Sequence, residues 1–219
     1  MKLLDLFCCC GGISKGYHDA GFDECVGVDI NDDHKYPYNF IHSDVFKLDL
    51  NFFSKFDLIH ASPPCQHYTW AARKDRIDKF PDLVERTRNL LLKTGKPFTI
   101  ENVVGAPLRK DLVLCGEMFG IRVLRHRIFE IEGFNVIQPS HIKHKPQIAK
   151  DKSYYASVAG HGGDSYSFKL EDWQKAMGID WVNDKQHLTQ MIPPSYSKYI
   201  GLQFLKPVPT FLQYIHMNN

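Results

Sequence analysis

Lys2-Leu3-Leu4-Asp5-Leu6-Phe7-Cys8-Cys9-Cys10-Gly11-Gly12 opens on a short apolar run and breaks at a pair of glycines. The run suits a buried strand and the glycines a tight turn, while Ile13 to Ala20, closed by Gly21, continues as a helix. Similar punctuation follows downstream. Cys25-Val26-Gly27-Val28-Asp29 is a second strand ending on an acid, and Phe40-Ile41-His42-Ser43-Asp44 a third ending the same way. Phe56 to Ala61 gives a fourth strand running into Ser62-Pro63-Pro64-Cys65-Gln66. A helix from Leu83 to Lys93 stops near Gly95 and Pro97, and Phe98-Thr99-Ile100-Glu101-Asn102 forms a fifth strand. Strands alternating with helices predict a doubly wound, mainly parallel α/β sheet, whose ligands gather at the carboxyl ends of the strands.

Working outward, Arg125-His126-Arg127-Ile128-Phe129-Glu130 alternates charged and apolar positions and reads as an edge strand with both arginines on one face. From Glu132 to Tyr166 the periodicity fades into a Pro-, His-, Lys- and Gly-rich stretch, expected to be a small insert. Helices follow over Leu170 to Met177 and Ser195 to Phe204, the latter after Pro193-Pro194. This divides the chain into 1–131, 132–166 and 167–219, the last returning to the first.

At 219 residues and 43% hydrophobic content the chain can bury one sizeable core, with room for a small appendage but not a second full domain. No apolar run approaches the ~20 residues of a membrane span, so no membrane partner and a cytoplasmic location are expected. The six cysteines (Cys8, Cys9, Cys10, Cys25, Cys65, Cys115) read as free thiols. No Cys-x-x-Cys or His-x-x-x-His pair completes a tetrahedral set, so no metal is expected. The formal charge of +2 is too small to announce a nucleic-acid binder by itself. Local basic clusters carry more weight: Arg73-Lys74-Asp75-Arg76, Arg122 with Arg125 and Arg127, and His141 to Lys145 each suit phosphate contact, or simply a solvated surface.

The strand ends carry the chemistry. Glycines after the first strand let backbone amides approach a ligand, although many α/β proteins use such a turn only for packing. An acid at the position of Asp29 suits ribose hydroxyls, and Asp44 an adenine amino group; loop solvation or helix capping is the competing reading of both. Two prolines hold Cys65 in the loop leaving a strand's carboxyl end, a setting that a packing cysteine rarely needs and a nucleophilic thiol does. Glu101, at the next strand's end, is placed to share a proton with a ring nitrogen in a partly apolar pocket. Arg125 and Arg127 suit a carbonyl or a phosphate.

Taken in order, DLFCCCGG, GVDI, SPPCQ, ENV, RHRIFEI and IPPSYSKYIG resemble the DNA cytosine-5 methyltransferase family over nearly the whole chain. The resemblance implies a class I S-adenosylmethionine-dependent methyltransferase fold with a small recognition insert at 132–166. It implies S-adenosylmethionine as cofactor, leaving as S-adenosylhomocysteine, held by Phe7, Cys8, Gly11, Gly12, Asp29, Ile30, Asp44, Val45 and Pro63. It further implies Cys65 as nucleophile, Glu101 at cytosine nitrogen 3, Arg127 at the cytosine carbonyl and Arg125 beside it. The partner expected is double-stranded DNA, contacted by Gln66, Arg73, Lys74, Arg76, Lys143 and Lys145 and acted on by a monomer. No restriction partner is visible in the sequence.

The short insert and the phrases YHDAGF and VAGHGG look most like the compact enzymes of bacteriophages and prophages. Cys9 stands where the family usually has glycine, Val123 where many members have glutamine, and Gln190 in place of the usual asparagine. A transfer RNA cytosine methyltransferase of related design, or a cofactor- and DNA-binding module without turnover, remain the alternatives.

Overall fold

Leu3, Leu4 and Leu6 have no solvent exposure because their strand, β1 (Lys2–Leu6), runs through the middle of the sheet. The computed structural model describes residues 1–32, 35–68, 80–141, 144, 156, 158 and 168–206. Among these, β1 is joined by β2 (Glu24–Asp29), β3 (Asn39–His42), β4 (Leu58–Ala61), β5 (Phe98–Asn102), β6 (Leu112–Leu114) and β7 (Arg127–Glu132). They form one sheet in the order β3-β2-β1-β4-β5-β7-β6. The pairs among β1 to β5 are parallel, and β7 is antiparallel to both β5 and β6. A parallel sheet covered on both faces needs strands that are apolar on both sides, which explains the near-continuous hydrophobic run of β1.

Alternation along the strands still sorts residues between the faces. Leu4, Val26 and Ile59 pack on one side with Phe53, Val84 and Leu91, which belong to α2 (Leu50–Phe53) and α3 (Val84–Thr94). Leu3, Cys25 and Leu58 point the other way, onto Ile13 and Tyr17 of α1 (Gly12–Ala20). The same cluster takes Tyr196 and Ile200 from the C-terminal helix α6 (Pro194–Leu205). A third cluster joins α4 (Leu170–Met177) and α5 (Lys185–Gln190) to Cys10 and Val123 through Trp173, Met177 and Leu188.

Two expected elements are corrected. The third strand stops at His42, and Asp44 lies beyond it, where its carboxylate caps a 3₁₀ turn by accepting from Phe46 N at 2.9 Å. The strand containing Arg127 is interior, because the short β6 covers its far side; Arg125 precedes it in a loop. No helix among the described residues is long and apolar enough to cross a membrane.

α1 and α6 approach so closely that Gly16 is held to its lack of a side chain. A Cβ there would fall inside the van der Waals shells of the Pro194 carbonyl oxygen and Ser197 Oγ. Ser197 Oγ itself donates to the Ile13 carbonyl at 2.7 Å, so it cannot simply rotate away without losing that bond. Gly16→Ala is therefore expected to destabilise the fold by about 3 kcal/mol, an overpacking cost, despite alanine's better helix propensity. For a chain of this size that lowers Tm by on the order of 10 °C in a calorimetric scan. An unchanged or raised Tm would show that α6 can move aside freely.

Candidate active site

Parallel register aligns the carboxyl ends of four strands on one rim. Leu6 pairs with Val28 and with Ala61, and Ala61 pairs with Ile100, so the residues that follow each strand emerge side by side. A cavity of about 520 Å³ opens there. Phe7, Asp29, Ile30, Asp44 and Val45 line one part of it, and Cys65, Gln66, Glu101, Arg125 and Arg127 another, with Pro63 also in the wall. Cys8, Gly11 and Gly12 shape the first loop without contributing to that wall.

The thiol sits among charges of both signs. Glu101 is only 4% exposed, and its Oε1 lies 2.9 Å from Arg127 Nε. The contact is an ion pair without hydrogen-bond alignment, because that oxygen has no hydrogen-bond partner. Burial raises the Glu101 pKa, opposed by Arg127, by a hydrogen bond from Ser62 and by Arg125. Burial likewise raises Cys65; Arg127 and Arg125 pull it down, while Glu101 pushes it further up. A neutral thiol is thus the resting form, and any event that neutralises Glu101 favours the thiolate.

Arg125 is held differently. Its terminal nitrogens donate to the carbonyls of Val158 at 3.0 Å and Thr189 at 2.6 Å, so it ties three parts of the chain together at the cavity wall. Burial, with Arg127 nearby, lowers its pKa to about 9, which leaves it cationic at neutral pH.

Behind the wall, a chain of buried polar groups fixes the geometry. Thr99 Oγ1 lies 2.6 Å from His60 Nδ1, and His60 Nε2 lies 2.9 Å from Ser62 Oγ. Burial depresses the His60 pKa to about 3, so the ring stays neutral and can donate at one nitrogen while accepting at the other. Asn102 donates from Nδ2 to the Pro63 carbonyl at 2.8 Å, binding the loop of the thiol to the strand of the carboxylate. Asn102 was not among the expected site residues; its place beside Glu101 in ENV was the available signal.

Next to the loop of the thiol, the loop after β1 carries two non-glycine residues with positive φ, Phe7 at 58° and Cys9 at 46°. Such backbone is strained for a residue with a Cβ and concentrates at functional loops. It also supplies the physical reason for a glycine preference at position 9. Cys9 N donates to Asp29 Oδ2 at 3.1 Å, which locks the first loop to the end of β2.

Val123 is 2% exposed in the third core cluster and absent from the cavity wall, whereas Gln190 belongs to that wall. Thr189, Ile192, Phe46 and Arg86 also line the cavity and were not anticipated. The Arg86 guanidinium lies 3.8 Å from the Phe46 ring centroid, a cation–π contact at its edge. Arg73, Lys74, Arg76, Lys143 and Lys145 lie outside the described residues.

Residues 1–112, slightly more than half of the chain, match the family model of C-5 cytosine-specific DNA methylases. The chain belongs to this family. Among its relatives, the type II methyltransferase M.HindV of Haemophilus influenzae is 33% identical over 115 residues, covering 47% of this chain and 38% of that one. M.HgiDI of Herpetosiphon aurantiacus is 30% identical over 163 residues, covering 60% of this chain and 52% of that relative. The match thus spans between about a third and about half of the length of these relatives.

Among solved structures, a chain described as a DNA modification methyltransferase encoded within an E. coli prophage superposes with a TM-score of 0.60 at 15% identity. It covers 94% of this chain and 99% of its own. S. pombe Dnmt2 superposes with a TM-score of 0.57 at 14% identity, covering 95% and 99%. At such identities these likenesses establish the fold, a class I methyltransferase α/β sheet.

Proposed function

We propose that the chain transfers a methyl group from S-adenosylmethionine to carbon 5 of cytosine in DNA, with Cys65 as a transient covalent nucleophile. The observation that carries this reading is one cavity lined both by Asp29 and Asp44, from the β2–β3 side of the sheet, and by Cys65, Glu101 and Arg127, from the β4–β5–β7 side. Its volume falls within the range for small-molecule sites, and its donor and acceptor set suits a nucleoside with a charged tail. Asp29 would take the ribose hydroxyls, Asp44 the adenine amino group, and Phe7 would pack against the cofactor. When bound, S-adenosylmethionine supplies an electrophilic methyl group.

Carbon 5 of cytosine is a poor nucleophile until the ring is made electron-rich, and that is the task assigned to Cys65. The thiol loses its proton to solvent and the resulting sulfur anion adds to carbon 6, forming a C–S bond, while Glu101 shares a proton with nitrogen 3 and Arg127 faces the carbonyl. The electron pair displaced toward carbon 5 then accepts the methyl group. Loss of the carbon-5 proton returns electrons to the ring and breaks the C–S bond. These atoms are out of reach in a stacked duplex, so the cytosine must leave the helix, at a cost of a few kcal/mol; methyltransferases as a class do this. Residues 132–166 are assigned to target reading, and Arg73, Lys74, Arg76, Lys143 and Lys145 to phosphate contacts.

Incubation with methyl-labelled S-adenosylmethionine and either duplex DNA or RNA of matching sequence tests the reading. Label is expected in the DNA, at 5-methylcytosine. Label in RNA alone would overturn the substrate, and cofactor binding without transfer to either would overturn the activity.

A further inference from the structure

Cys115, His126 and the pair His141 and His144 come from three separate stretches of the chain, yet one potential ligand atom of each residue lies within 4.8 Å of every other. We propose that this cluster is a structural zinc site. Cys115 Sγ lies 3.3 Å from His144 Nε2, and His141 Nε2 lies 3.0 Å from the same nitrogen. Ligands on a tetrahedral zinc, at the usual Zn–N and Zn–S lengths, sit about 3.3 Å apart for two nitrogens and about 3.6 Å for nitrogen and sulfur. These two contacts lie within about 0.3 Å of coordination-shell spacing, and the remaining pairs, all within 4.8 Å, need only side-chain adjustment to reach it.

The surroundings point the same way. Glu117 Oε2 lies 2.8 Å from His144 Nδ1, the nitrogen turned away from the cluster. A carboxylate behind the outer nitrogen of an imidazole is the arrangement that fixes the tautomer of a metal-binding histidine and raises its basicity. The ring centroids of the three histidines are 4.6 to 5.2 Å apart, so three imidazoles share one small volume, which like-charged side chains would avoid and a shared cation would hold.

The set of one thiolate and three imidazoles suits zinc over magnesium or calcium, which prefer oxygen. Four protein ligands leave no open position, so the role is structural rather than catalytic. On binding, the Cys115 thiol gives its proton to solvent and the sulfur donates to the metal. The expectation of a metal-free chain rested on the missing Cys-x-x-Cys spacing; the fold assembles the set instead.

Position gives the site its use. Cys115 follows β6, His126 separates Arg125 from Arg127, and His141 and His144 open the insert that follows β7. Zinc would pin the start of the insert to the segment that presents both cavity arginines.

The test uses the full chain purified without a polyhistidine tag, loaded with zinc or cobalt(II) and desalted. About one zinc per chain is expected by elemental analysis. The cobalt form should show intense tetrahedral d–d bands and a thiolate-to-cobalt charge-transfer band in the near ultraviolet. His141→Ala, altering an exposed residue, should cut retained zinc at least about tenfold with the circular dichroism unchanged, and Cys115→Ser should abolish the charge-transfer band. A folded wild-type chain that retains no zinc, or weak octahedral cobalt bands, would overturn the site. So would zinc retention unaffected by His141→Ala.

Discussion

Cys65→Ala is expected to abolish methyl transfer, by on the order of 10⁴-fold or more, while leaving the fold and cofactor binding intact. Under the proposed mechanism the other described groups of the cavity do not replace it: Glu101 is engaged at nitrogen 3, the arginines are cations, and the Cys9 thiol, which also lines the wall, is held neutral by its hydrogen bond with Cys10 and by burial. The substitution removes one sulfur from a loop whose position is set elsewhere, by Asn102 donating to the Pro63 carbonyl, so a collapse of the site is not expected. Cofactor affinity should be near normal, because Asp29 and Asp44 line the cavity from the β2–β3 side of the sheet. DNA carrying 5-fluorocytosine adds a direct readout. Fluorine cannot leave carbon 5 as a proton does, so the wild-type chain should remain covalently joined to such DNA and the variant should not. Equal label incorporation by the two proteins would sink the mechanism.

The reach of the sequence follows from how each feature is encoded. Strands β1, β2, β4 and β5 were readable because each is a largely apolar run stopped by a turn, and three of them carry a residue of conspicuous chemistry at or near their end: Asp29 in β2, Cys65 beyond β4, and Glu101 in β5. Parallel register then brings those ends together without further information. β6 was invisible, since Leu112–Leu114 is three residues long and shows no periodicity. That omission made β7 look like an edge. Thr189, Gln190 and Ile192 reach the cavity through tertiary contacts, the packing of α6 on α1 at Gly16 and Ser197 and the Arg125 bond to the Thr189 carbonyl, rather than by any local pattern. The histidine cluster was hidden for a related reason. His141 and His144 sit beside lysines and read as a basic stretch, and their partners Cys115 and His126 are brought to each other by the β6–β7 pairing.

Glu101→Gln is expected to slow methyl transfer by roughly 10²- to 10⁴-fold, the usual worth of a positioned acid–base group, while making the Cys65 thiol more reactive. The two effects run in opposite directions for one reason. Whenever Glu101 is ionised its charge disfavours the Cys65 thiolate, whereas Arg127, which favours it, is shared with that same carboxylate. Glutamine removes the negative charge and releases Arg127 from the ion pair, so both changes lower the thiol pKa. Thiolate appears as pH rises through that pKa, and the variant's iodoacetamide alkylation curve should therefore lie at lower pH than the wild type's. Methyl transfer nevertheless falls, because the amide cannot pass a proton to nitrogen 3 as charge builds in the ring. If Glu101 served only to hold Arg127 and the loop in place, its loss would loosen the site and leave the thiol pKa without a consistent downward shift. If it served to ionise Cys65 directly, alkylation and methylation would slow together. An alkylation curve moved to higher pH in a folded variant would remove Glu101 from the role proposed here and leave the activation of the ring without a proton source.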